Sequence, residues 1–224
     1  MWRWLSVLPL ALAMGSAAGA DLRYLALGDS YTIGEGVPEA GRWPAQLRDA
    51  LRARGLALAP PQYVARTGWT TDELAAAMDA AELAPPYDLV SLLVGVNNQY
   101  RGRDAQEYRR QFAALLARAI GLAGGRSERV LVLSIPDWGV TPFAAGPDRD
   151  PARIARELDA YNALARAECQ RYDVAWVDIT AQSRGAARAE LAADGLHPSA
   201  AQYARWAAAA EPVAAALLAP RAQH

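Results

Sequence analysis

Ser30 and His197 are the pair from which a reaction can be built. Ser30 stands in Gly28-Asp29-Ser30-Tyr31-Thr32, directly after an apolar run from Leu22 to Leu27. The run reads as a buried strand ending in a tight turn that presents the hydroxyl at a sheet's carboxyl edge, where open α/β sheets bind ligands. A serine is a weak nucleophile until a base takes its proton and donors receive the oxyanion. Only two histidines occur, and His224 is the last residue, so the base would be His197. Asp194 lies three residues earlier, with Gly195 between them and Pro198 behind. That spacing lets the carboxylate accept from the imidazole Nδ1–H, leaving Nε2 to accept a serine proton. Alone, the segment also reads as a helix start with a surface histidine; a strand-end serine elsewhere in the chain favours the catalytic reading.

Two further residues have the chemistry of oxyanion donors. Gly68, in a loop between a strand and a helix, offers a peptide N–H with no side chain in the way, or is a plain turn glycine. Asn97 ends the most apolar run, where an amide is costly unless its NH2 has a partner; bonding to local backbone is the alternative. Gln99, Tyr100 and Arg101 follow it and are expected at the mouth of the site, with Trp138 and Phe143 as an apolar wall or as packing under a long loop.

The elements that must position these groups follow from pattern. After the first strand, Arg42 to Arg54 places Trp43, Leu47 and Leu51 at helical spacing with Pro44 in the first turn. Tyr63-Val64-Ala65 is a short strand, and Thr71 is expected to cap a helix from Asp72 to Leu83. Tyr87 to Val96 is the clearest strand, its near-continuous apolar run suiting a sheet covered on both faces. A helix from Asp104 to Leu122, a strand from Arg129 to Ile135, a helix from Ala152 to Arg171 and a strand from Val174 to Ile179 come next. The last helix spans Ser199 to Leu218, with Pro212 expected to kink or restart it. Strands alternating with helices give a single three-layer α/β/α sandwich on a mainly parallel sheet.

The chain has 224 residues, 53% hydrophobic, and a formal net charge of −1, ample for one domain and without the basic footprint of a nucleic-acid binder. Residues 1–20 have the charged start, apolar core and small-residue end of a secretory signal peptide, cleaved after Ala20, with 21–224 as the mature domain. The apolar run is short for a membrane span, so no stable span is expected after cleavage, and the expected location is periplasmic or secreted. Cys169 has no cysteine to pair with and reads as a helix-face residue. No cluster has metal-ligand spacing and no glycine loop cradles phosphate, so no cofactor or metal is expected.

Gly28-Asp29-Ser30, Gly68, Gly95-Val96-Asn97 and Asp194-Gly195-Leu196-His197 occur in the order and loop contexts of the SGNH hydrolases, also called GDSL esterases and lipases, which the chain resembles from Leu22 through its last helix. The resemblance implies a flavodoxin-like five-stranded parallel sheet, order 2-1-3-4-5, and ester hydrolysis through an acyl-serine. Carried over, Ser30 looks like the nucleophile, His197 the base and Asp194 its orienting acid. The oxyanion hole resembles the Ser30 and Gly68 peptide N–H groups with the Asn97 side chain. The chain departs from the common pattern at Tyr31, where leucine is usual, and at Asn98, where aspartate is. Asp29, Tyr31, Asn98, Gln99, Tyr100 and Trp138 make up the candidate substrate-binding set.

The activity expected is hydrolysis of short- to medium-chain acyl esters. Alternatives on the same site are a lysophospholipase or thioesterase, with Arg101 and Arg103 on an anionic head group, and deacetylation of an exported polysaccharide. A non-enzymatic exported binding protein is a further alternative, disfavoured by Ser30, Asp194 and His197 occurring together.

Overall fold

The computed structural model describes residues 20–186 and 188–219. The leader expected over 1–20 lies outside the described residues except for Ala20, and His224 lies outside them too. Five parallel strands form the sheet: β1 (Tyr24–Gly28), β2 (Gln62–Ala65), β3 (Leu89–Leu93), β4 (Val130–Leu133) and β5 (Ala175–Val177), in the order β2-β1-β3-β4-β5. Every residue of β1, β3 and β4 is buried, as expected when helices cover both faces. Each fully buried leucine or valine there contributes roughly 1.5–3 kcal/mol.

Around the sheet run α1 (Ser30–Ile33), α2 (Trp43–Ala53), α3 (Thr71–Ala80), α4 (Val96–Tyr100), α5 (Ala105–Leu122), α6 (Pro151–Arg171), α7 (Thr180–Arg184) and α8 (Ala200–Leu218). Right-handed crossovers place α2 on one face and α3, α5 and α6 on the other, because the strand order reverses at β1. The packing agrees: α2 lies against α8, while α5 contacts both α3 and α6. The reversal leaves a crevice between the carboxyl ends of β1 and β3, the place where such sheets bind ligands. Ser30 follows one of these strands and Asn97 the other.

Several local expectations are corrected. Thr70, not Thr71, caps α3, because Glu73 lies three residues after Thr70 and its carboxylate accepts the Thr70 N–H at 2.9 Å. The strand expected to reach Val96 stops at Leu93; Val94 and Val96 stay buried, so the apolar run outlasts the strand. Asn97 therefore sits in the first turn of α4 rather than at a strand end. Helix α8 runs through Pro212 without restarting. Cys169 is buried on α6, and burial pushes its thiol up to about 12, so it stays protonated and unreactive at neutral pH.

Candidate active site

Gly28 makes the turn into the site possible. A Cβ there would lie 2.2 Å from Thr32 Oγ1 and 2.4 Å from the Leu93 carbonyl, so only glycine lets β1 pass this close to α1 and β3. Asp29 then caps α1, its Oδ1 accepting the Tyr31 N–H at 3.0 Å. Ser30 is the first residue of that short helix, so its own N–H has no intrahelical acceptor.

At the other side, Gly195 adopts φ +67 and curls 194–197 tightly enough for Asp194 to bond its successors. Asp194 Oδ1 accepts the Leu196 and His197 peptide N–H groups, each at 2.9 Å, and Oδ2 lies 2.6 Å from His197 Nδ1. Burial pushes the Asp194 carboxyl up, but the bonds from the ring and the two peptide groups overcome it and hold the group below the usual aspartate range. Asp194 thus stays ionised and keeps the Nδ1–H tautomer, with Nε2 the basic nitrogen. The Tyr31 ring packs edge-on against the imidazole, centroids 5.6 Å apart, and Trp206 backs Tyr31 at 5.9 Å. The tyrosine in the usual leucine position therefore props the histidine.

Helix α4 and the 67–71 loop form the third part. Asn97 Nδ2 donates to the Trp69 carbonyl at 2.9 Å, which orients the amide and leaves one N–H for another acceptor. Asn98 holds Thr71 at two points, accepting its N–H at 3.0 Å and donating to its Oγ1 at 2.7 Å. Arg101 donates to the Gly68 carbonyl at 2.6 Å and pairs with Glu73 at 3.0 Å. Two side chains of α4 and that of Arg101, which follows it, thus fix the loop carrying Gly68, whose φ is +88. Asn98 and Arg101 as braces were missed by sequence reasoning, because their partners lie about thirty residues away.

These parts surround one cleft of about 160 Å³, lined by Ser30, Gly68, Asn97 and His197, with Tyr100, Trp138 and Phe143 among its apolar walls. Of the candidate substrate-binding set, Tyr31, Tyr100 and Trp138 line it; Asp29, Asn98 and Gln99 do not. Asp29 and Asn98 are fully buried behind it. Gln99 turns inward, accepting from Trp138 Nε1 at 2.8 Å and donating to Glu157 at 2.7 Å, so it holds the wall instead of forming it. Arg101 and Arg103 are taken up by the acidic first turn of α3, Arg103 meeting Asp72 at 2.7 Å, and are not free for an anionic head group.

A model of the GDSL-like lipase/acylhydrolase family matches residues 26–205. The chain belongs to that family. Membership makes it an ester-hydrolysing serine hydrolase. No curated protein matches the sequence. Among solved structures, TesA superposes with a TM-score of 0.69 at 21% identity, covering 88% of this chain and 99% of that one. The acetylxylan esterase Axe2 from Geobacillus stearothermophilus gives 0.64 at 21% identity over 86% and 94%. A lipase/acylhydrolase from Enterococcus faecalis gives 0.68 at 20% identity over 90% and 100%. At these identities the structures show a shared fold.

Asp29 gives this GDSL-family site a pH signature. Burial pushes its carboxyl from 3.8 up to about 7, outweighing the peptide N–H groups around it, and Oδ2 has no hydrogen-bond partner among the described residues. The folded state therefore holds a proton that the unfolded chain releases from about pH 4 upward. This group's contribution to stability falls as pH rises from there to about 7, and is constant above. Asp29→Asn keeps an oxygen for the Tyr31 N–H and removes the ionisation. Its Tm is expected to exceed wild type above pH 7, with the gap closing toward pH 4. Thermal melts across that range test this; a gap independent of pH would mean that Asp29 is ionised throughout.

Proposed function

We propose that the protein is an exported carboxylesterase for short- to medium-chain acyl esters, with Ser30 as nucleophile, His197 as base and Asp194 as the group that orients it. The observation that carries this reading is the 2.6 Å His197–Asp194 bond in a cleft shared with Ser30, Gly68 and Asn97. Ser30 Oγ attacks the ester carbonyl as His197 Nε2 takes its proton. The oxyanion faces the Ser30 and Gly68 N–H groups and the second Asn97 N–H. His197 returns the proton to the leaving alcohol, and water, activated the same way, releases the acid from the acyl-serine.

The cleft's size supports a small acyl group, since sites for drug-sized ligands run to about 300–1,000 Å³. The engagement of Arg101 and Arg103 by carboxylates counts against a phospholipid head group beside α4. Export rests on the signal-like residues 1–20. The test is hydrolysis of p-nitrophenyl esters from C2 to C16 by the mature chain. Turnover peaking at short or medium chains supports the proposal; an optimum at C16 or none at any length overturns it.

Asn97→Ala is expected to lower kcat about 10²–10³-fold with KM little changed, because its free N–H meets the oxyanion only as charge develops. The lost bond to Trp69 makes a parallel melt necessary. Near-full activity in a folded variant would remove Asn97 from the oxyanion hole.

A further inference from the structure

Beside the catalytic cleft lies a second cavity of about 360 Å³. The two share Tyr31 and Leu196 as walls. Leu196 and Pro198 flank His197 in sequence and both line the second cavity, and Tyr31 packs on the imidazole itself. Gly68 and Asn97 line only the first. In acyl transfer the carbonyl oxygen points to the oxyanion donors, whereas the departing oxygen must lie within reach of the imidazole that protonates it. The second cavity thus adjoins the histidine side, where the alcohol leaves.

Its chemistry is asymmetric. Val140, Pro142, Leu191 and Trp206 give it an apolar body, and Val140, 52% exposed, stands at its rim. Two charged residues line it, Asp137 and Arg188. Asp137 is spent: Arg184 pairs with it at 2.8 Å and its side chain is 1% exposed. Arg188 is exposed, and its guanidinium has no hydrogen-bond or ion-pair partner among the described residues. A cavity with this apolar body, Thr141, Ser183 and Gln202 in its wall and one uncompensated guanidinium suits a group with an apolar body and a carboxylate or phosphate.

We infer that this cavity is the leaving-group subsite, and that the preferred esters are those of alcohols with an apolar body and a terminal anion, recognised by Arg188. The inference rests on the esterase reading above. Three butyrate esters test it: p-tolyl, 4-(carboxymethyl)phenyl and 4-(phosphonomethyl)phenyl. The methylene insulates the ring, so the leaving phenols have similar acidity and the acyl part is the same.

Wild type is expected to favour the anionic esters about two- to fivefold in kcat/KM, the range for an exposed charge pair. Arg188→Ala should abolish that preference and Arg188→Glu reverse it, with p-tolyl butyrate turned over equally by all three. Whichever anionic ester loses more identifies carboxylate or phosphate. Equal kcat/KM for charged and neutral esters in wild type, or a preference that survives Arg188→Ala, overturns the anion site. Val140→Trp supplies the second arm: it should slow aryl esters relative to methyl esters without moving the acyl-length optimum. A moved optimum would make the cavity an acyl pocket and overturn the assignment. Failure of all three esters, with Ser30 unreactive to a fluorophosphonate, would instead overturn the esterase reading, and this inference with it.

Discussion

Ser30→Ala is expected to lower kcat on p-nitrophenyl butyrate by on the order of 10⁶-fold, leaving the remainder to binding and oxyanion donors. The size follows from the proposed mechanism, in which without Oγ no acyl-enzyme forms and His197 has no serine proton to take. The fold should be untouched. Among the described residues no hydrogen bond runs from Ser30 Oγ into the core, the preceding Asp29 still caps α1, and alanine is the best helix former. Tm is therefore expected within a few degrees of wild type. Fluorophosphonate labelling should vanish in parallel with turnover. Residual labelling at full stoichiometry in the alanine variant would place the nucleophile elsewhere.

The features that were legible in the sequence are those fixed by short spacing. A strand running into Gly-Asp-Ser, and an acid three residues before a histidine across a glycine, are local arrangements, and the site has them as read. The alternation of strands and helices fixed the layers in the same way. Features made by contacts between loops were not legible. Gln99 and Arg101 read as mouth residues because they follow Asn97, and Asn98 as part of the substrate-binding set. In the fold, α4 turns two of them onto the 67–71 loop and the third toward Trp138 and Glu157. Asp29 illustrates the same limit at closer range: next to Ser30 in sequence, it caps α1 from the buried side while Ser30 faces the cleft. The second cavity has no sequence signal, since its walls come from five separate segments.

Asp194→Asn is expected to be worse than Asp194→Ala, the reverse of what loss of contacts alone would give. In wild type, Oδ1 is held by two peptide N–H groups, and Oδ2 faces Nδ1 at 2.6 Å. An asparagine keeps its carbonyl oxygen on those N–H groups, which leaves its NH2 facing Nδ1. A donor there makes Nδ1 the acceptor and moves the ring proton to Nε2. The nitrogen that should take the Ser30 proton then already carries one, at a cost on the order of 10⁴ in kcat. Alanine removes the acceptor and imposes no tautomer, so part of the population keeps a basic Nε2 and the loss should be smaller, although Tm falls further because two peptide N–H groups lose their acceptor. The comparison needs kcat on one ester across pH for both variants, with melts alongside. The asparagine deficit should persist once the imidazolium has lost its proton, because the neutral ring still carries its hydrogen on Nε2. Equal losses in the two variants would show that Asp194 acts through charge alone, without choosing the tautomer of His197.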